Sequence, residues 1–322
     1  MIRRYDLAPL DGITRAVFRR VWHRHFGGAD RYFIPFFSPT DQHILTNRDR
    51  REAGPENNAG LPAVPQVMTR CADDFLWAAE LVADMGYPEV NLNLGCPSGT
   101  VVAKGKGAGF LARPDELDRF LETVFSAGLP IAVSVKTRLG LREEDEFPRI
   151  LEIYNRYPIA ELTLHPRVQK DFYQKPIHEE AFARVLPDCR LPLCYNGELR
   201  TVAQVEEFRG KYPAVSRLMF GRGLAADPAL PRKLRGGEPA SKEEIRRFTA
   251  ALYRGYQEAY GSRGPAVQKM KELWFRLIGL FDDHERCEKR MRRLRSPEDY
   301  EAAEAEIFSA CPLRTETGEF KP

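Results

Sequence analysis

The stretch NLNLGCPSGTVVAKGKGAGFL, residues 91–111, begins as a strand and ends as a loop. Asparagine and leucine alternate from Asn91 to Leu94, the period of a strand with two different faces. Gly95 interrupts the run, and Pro97 cannot donate to a ladder, so pairing ends there. Cys96 is thereby placed at the carboxyl end of a strand. The loop beyond it carries Lys104, Lys106 and four glycines, Gly99, Gly105, Gly107 and Gly109. Glycine lets backbone approach a ligand closely, and lysine suits phosphate. A cysteine in such a place is commonly a small buried side chain, so its surroundings have to decide its role.

The same strand-then-helix pattern recurs on both sides. Strand-like runs fall at 4–8, 31–36, 63–67, 89–94, 131–136, 161–165, 193–196 and 217–220. Amphipathic helical runs fall at 14–26, with Thr14 as its cap, then at 73–85, 114–127, 144–157, 178–186 and 202–209. The segment 38–60 is polar and reads as a long loop. Eight units at the spacing of a β-α-β repeat predict an α/β fold, an eight-stranded parallel β/α (TIM) barrel. A doubly wound open sheet is the structural alternative.

Composition changes near Gly236-Gly237-Glu238-Pro239. Ser241 followed by Glu244 has the form of a capping box, and the chain is helical in pattern to about residue 308. The expected division is a barrel at 1–238 and a C-terminal all-helical domain at 239–322, with a polar, fraying tail from Cys311.

The 322 residues carry a net charge of only +3, which excludes neither a nucleic-acid partner nor a small substrate. The six cysteines show no paired metal-ligand spacing, so no metal is expected. No apolar signal core precedes the first strand, and no run is long enough to span a membrane. A cytoplasmic, monomeric protein without membrane attachment is the expectation.

Barrel chemistry sits where strands end. Those positions read Ala8-Pro9-Leu10, Gln66, Asn93 to Cys96, Lys136 with Arg138, His165 with Arg167, Asn196-Gly197-Glu198 and Gly221-Arg222-Gly223. The last two groups, followed by a short helix at 224–230, suit a phosphate. Opposite them, Gln66, Lys136 and His165 are donors for a planar ring with carbonyl oxygens. A phosphate at one end and a polar ring at the other describe flavin mononucleotide (FMN). No dinucleotide or Walker fingerprint is present.

With these residues in view, the chain resembles the tRNA-dihydrouridine synthase family. The likeness runs through Ala8-Pro9-Leu10, Gln66, the Asn93-x-Gly95-Cys96-Pro97 core, the loop from Lys104 to Gly109, Lys136, His165-x-Arg167, Asn196-Gly197-Glu198 and Gly221-Arg222. Two positions depart from the family pattern. Leu10 stands where methionine is common, and Pro166 stands where many members have glycine. The resemblance implies an FMN enzyme that takes electrons from NADPH and reduces uridine in tRNA. It implies a base flipped out of its stack, hydride to C6, and Cys96 as the proton donor to C5. Ala8, Pro9, Leu10, Gln66, Asn93, Lys136, His165, Asn196, Gly197, Glu198, Gly221 and Arg222 would hold the flavin. Arg167, Lys104 and Lys106 would meet the substrate. So would Lys269, Lys271 and Arg276, on a helix whose basic positions face outward.

Within the resemblance, a structured RNA other than tRNA stays open as the substrate, and three other readings stay open on the residues. One is an FMN barrel reducing a small molecule, of dihydropyrimidine or enoate type. Another is a Schiff-base aldolase built on Lys136. The third is a non-catalytic RNA-binding protein on a barrel scaffold.

Overall fold

A computed structural model describes residue 2 and residues 4–316. Eight parallel strands close in sequence order: β1 Arg4–Leu7, β2 Arg31–Phe37, β3 Ala63–Val67, β4 Glu89–Leu94, β5 Ala132–Gly140, β6 Leu162–Val168, β7 Leu193–Tyr195 and β8 Arg217–Phe220. β8 pairs with β1, so no edge remains. This is the predicted β/α barrel, and the open sheet is excluded.

Alternation along each strand sorts the side chains. On β4 and β5, Leu92, Leu94 and Val135 join the large apolar cluster under the surrounding helices. Asn91, Asn93, Ser134 and Lys136 are opposite in the pleat and face the barrel axis. Along that axis the interior is layered. At the amino-terminal end, Arg31 pairs with Asp6 at 2.9 Å and Glu89 at 2.6 Å, and Arg217 with Glu161 at 2.9 Å. Arg4 adds contacts to Asp6 and Glu161. Above this plug lies a small apolar layer of Ala8, Phe33, Val64, Cys194 and Met219. A polar layer and then the mouth follow.

Burial pushes the Asp6 carboxyl up to about 6, against the pull of Arg31 and Arg4. Asp6, Glu161 and Cys194 bring potential ligand atoms within 4.8 Å of one another, but the three guanidiniums already neutralise those carboxylates. Arg31→Met should therefore strip Glu89 of its ion pair and leave Asp6 and Glu161 to Arg4 and Arg217, at a cost of about 3–5 kcal/mol. Urea titration of the two proteins measures the difference.

Several local expectations change. Thr14 does not cap the first helix, Ala16–His25. Its hydroxyl accepts from Leu10 N at 2.8 Å and donates to Ala8 O at 3.0 Å, shaping the rim turn. Glu52 instead accepts from Ala16 N at 2.8 Å. The supposed loop at 38–60 contains a helix, Asn47–Ala53, capped by Thr46. β6 runs on through Pro166, where the β5–β6 register shifts, as a residue without an N–H requires. The short helix after β8 is Arg222–Ala226, starting earlier than expected.

Four longer helices follow: Lys242–Tyr260, Arg263–Leu277, Glu285–Arg292 and Pro297–Ala310. Ser241 and Glu244 form the expected reciprocal capping box. Phe248 packs edge-on to Phe18 at 6.0 Å and Phe26 at 5.2 Å, and Gly255 lies against Val17. One buried apolar cluster thus runs from the barrel's outer helices into this part. Helix Arg263–Leu277 packs on Arg222–Ala226 at the mouth. Leu313 bridges to Phe281; the rest of the tail expected to fray, 317–322, lies outside the described residues.

Candidate active site

Two connected hollows open at the carboxyl ends of the strands. The inner one, about 70 Å³, is bordered by Ala8, Pro9, Leu10, Lys136, His165, Asn196, Gly197, Glu198, Gly221 and Arg222. The outer one, about 660 Å³, is bordered by Asn93, Cys96, Phe172, Tyr173 and Arg276, and again by Lys136, His165 and Arg222. The fold therefore collects most of the strand-end residues at one place.

Cys96 is held by a line of amides. Ser134 Oγ accepts from Asn91 Nδ2 at 2.8 Å, Asn91 Oδ1 accepts from Gln66 Nε2 at 2.7 Å, and Gln66 Oε1 accepts from Asn93 Nδ2 at 2.7 Å. Asn93 Oδ1 then accepts from the backbone N–H of Cys96 at 2.9 Å and of Gly95 at 3.0 Å. A fully paired amide chain is rigid and orients what it ends on. Gln66, expected against the ring of a cofactor, borders neither hollow; it lies fully buried one layer down. Burial raises the Cys96 thiol, opposed by Arg138 and Lys136. The group is a thiol, not a thiolate, at neutral pH.

Of the glycines after Cys96, Gly107 is the one packed against that residue. The loop folds back as helix Gly99–Val102 and a 3-10 segment, Gly107–Ala112. Ala108 N donates to Cys96 O at 3.1 Å. Gly107 has φ +55, and a Cβ there would lie 2.9 Å from Cys96 O and 3.0 Å from Cys96 Cβ. Gly107→Ala should cost about 1–2 kcal/mol through strain at positive φ and displace Cys96. Thermal melts and product formation measured together should both fall. Lys104 and Lys106 border neither hollow, and Lys104 faces solvent.

Lys136 has no hydrogen bond or ion pair to any described residue. Burial, then the nearby Arg138 charge, depresses it to about 8. His165 is driven well below its ordinary value by burial and by Arg138, Lys136 and Arg167. Arg167 Nη1, a donor only, points at His165 Nε2 at 3.1 Å. The neutral ring therefore carries its proton on Nδ1. Arg167, expected to meet substrate, borders neither hollow. Its side chain is 2% exposed and pairs with Glu198 at 3.2 Å, while Nε donates to Lys175 O at 2.6 Å.

At the inner end, Glu198 also pairs with Arg200 at 3.0 Å and with Arg222. Three guanidiniums thus converge on one carboxylate. A Cβ on Gly197 or Gly223 would strike Tyr195 or the Leu199 carbonyl, so backbone closes tightly there. Sequence reasoning missed Tyr173 and Arg200, which lie in loops past the strand ends with no periodicity to mark them. Tyr173 stacks on His165 at 6.0 Å and lies under the Arg138 and Arg222 guanidiniums at 5.0 and 5.1 Å. Arg138 donates to Gly95 O, Val168 O and Phe172 O at 2.8–2.9 Å, binding the Cys96 turn to β6.

On the C-terminal helix, Arg276 reaches the outer hollow. Lys269 does not face outward as expected: it pairs with Glu272 at 2.9 Å and donates to Gly12 O at 3.4 Å, across the seam with the barrel. Lys271 lies near the Arg292 carbonyl, away from the hollows.

Solved structures of similar shape include an old yellow enzyme homologue from Zymomonas mobilis, with a TM-score of 0.55 at 12% identity, covering 76% of this chain and 92% of that one. Another is a morphinone reductase, with a TM-score of 0.52 at 14% identity, covering 74% and 87%. At that identity the likeness shows the barrel fold alone. Among curated relatives, a probable tRNA-dihydrouridine synthase of Staphylococcus aureus is 30% identical over 286 residues, 85% of this chain and 84% of its own. A tRNA-dihydrouridine(16) synthase of Ralstonia nicotianae is 31% identical over 237 residues, 71% and 72% of the two chains. The family model for dihydrouridine synthase matches residues 6–307. With that match spanning the barrel and the helices beyond it, the chain belongs to the dihydrouridine synthase family.

Proposed function

We propose that the protein reduces uridine to 5,6-dihydrouridine in tRNA, using FMN and NADPH. The observation that carries this reading is that the Cys96 thiol and the unpaired Lys136 ammonium border one cavity at the barrel mouth, in a chain of this family.

The residues present fit FMN. The Arg222 guanidinium, beside Gly197 and Gly221 at the inner hollow, suits its phosphate. Lys136 and the Nδ1–H of His165 suit its carbonyl-bearing ring. When bound, FMN supplies the hydride that goes to C6 of the uracil and is itself replenished from NADPH. Everything else falls to side chains. Cys96 gives its proton to C5, so one hydride and one proton add across the C5–C6 double bond. A protonated thiol is the right state for that task. The Arg138 charge favours the thiolate left behind, which takes its next proton from water. Asn93 fixes the Cys96 backbone throughout.

The helices at 239–316 supply the RNA contacts in this proposal, with residues 1–238 as the catalytic barrel. No helix among the described residues is long and apolar enough to cross a membrane, and we assign the work to a cytoplasmic monomer. Arg276 has the leading part in gripping RNA, because it alone of the three expected basic residues borders the cavity. Arg276→Glu should weaken tRNA binding about tenfold near physiological salt and flatten the salt dependence by roughly one phosphate contact. Lys269→Glu should chiefly disturb the seam with Gly12. Filter binding across a salt series separates the two.

Incubating the purified protein with FMN, NADPH and an unmodified tRNA transcript, then mapping dihydrouridine, tests the whole proposal. Turnover of free uridine with an inert transcript would point to a small-molecule reductase. A colourless protein with Lys136 trapped by borohydride would point to an aldolase. Tight tRNA binding without flavin or turnover would leave only an RNA-binding role.

A further inference from the structure

Three non-glycine residues among those described have positive φ: His43, Phe172 and Asp283. Only Phe172 borders the active-site cavity. Its φ of 49° and ψ of −108° suit glycine and strain a phenylalanine. The strain is held from both sides. Phe172 N donates to Gln169 O at 3.0 Å, and Phe172 O accepts from Arg138 Nη2 at 2.8 Å. Gln169 Nε2 donates to Pro97 O at 2.8 Å, which ties this turn to the residue after Cys96.

The fold thus holds an unfavourable backbone at an aromatic residue that is 42% exposed. The adjoining Tyr173 is already engaged with His165, Arg138 and Arg222. Phe172 belongs to neither the buried apolar cluster nor the partly buried residues packed on that cluster. Strain of this kind persists where a site uses it. A nucleobase can reach the cavity only by leaving its stack, which opens a gap beside its neighbour. An exposed aromatic ring is the chemistry that stacks on an exposed base.

We propose that Phe172 stacks on the nucleobase next to the uridine entering the cavity, and so holds the strand open. The inference rests on the RNA reading of the site. It makes Phe172 a substrate-contacting residue beyond the residues that hold cofactor or move protons.

Phe172→Gly removes the strain and the ring together. It should raise Tm by about 2–4 °C while kcat/KM for dihydrouridine formation on a tRNA transcript falls at least tenfold. That fall should exceed any change in RNA-free NADPH oxidation by tenfold or more. Phe172→Trp should recover most of the RNA turnover, and Phe172→Leu should not. If the wild type works and Phe172→Gly matches it on tRNA, the proposal is wrong while the reading of the site stands. A fall in Tm for Phe172→Gly, or recovery by Leu as complete as by Trp, also overturns it, because the ring would then be part of the packing. If the wild type leaves tRNA unreduced, both fall together.

Discussion

Replacing Cys96 by alanine is expected to separate the two halves of the reaction. The variant should still bind FMN and still be reduced by NADPH, yet product formation on tRNA should drop by about 10²–10⁴-fold, the usual worth of a positioned acid. The fold should survive, because Cys96 is half-buried and the bonds around it use its backbone: Asn93 Oδ1 on its N–H and Ala108 N on its carbonyl. Single-turnover mixing of pre-reduced protein with tRNA isolates the step. Product appearing at the wild-type rate would remove Cys96 from the mechanism.

Lys136→Met should produce the opposite pairing of effects, a more stable protein that works poorly. Lys136 is part-buried at the cavity wall with no partner among the described residues, and desolvation lowers it from 10.5 to about 8. The sign follows directly. The folded state holds this proton less tightly than the unfolded chain does. The penalty is therefore full below about pH 8 and fades as pH rises towards 10.5. Without ligand at pH 7, Lys136→Met should be more stable by roughly 1–3 kcal/mol. The gain should shrink above pH 8. Dihydrouridine formation should fall by about 10²–10³-fold, since a charge aimed at a developing anion is lost. Denaturant titrations at pH 7 and pH 9.5, run beside the activity assay, measure both. A variant less stable than the parent at pH 7 would show that Lys136 packs rather than waits for a ligand.

Much of the barrel could be read because its strands are short apolar runs, several of them, such as β4, closed by glycine or proline. Residues 89–94 and 217–220 coincide with the observed β4 and β8. Strand ends also carry side chains towards one rim, so Cys96, Lys136, His165 and Arg222 met there as expected. The reading failed where long-range contacts outvote local pattern. Thr14 looked like a cap, but a carboxylate from Glu52, distant in sequence, took that place. Residue type marked Gln66 and Arg167 as polar groups at strand ends, but not that both join buried networks with neighbouring strands. Lys269 looked solvent-facing by helical period, but the barrel's Gly12 lies across from it. Pro166 looked like the end of a strand, and β6 continues past it with a shifted register.

The guanidinium–carboxylate plug below Phe33 and Met219 has a kinetic meaning. It makes the barrel a dead end with a single doorway. Under the proposed function, nicotinamide and nucleic acid must take turns at that doorway, each withdrawing before the other arrives. Such traffic gives double-reciprocal plots of parallel lines. It also makes an excess of either visitor an inhibitor of the other.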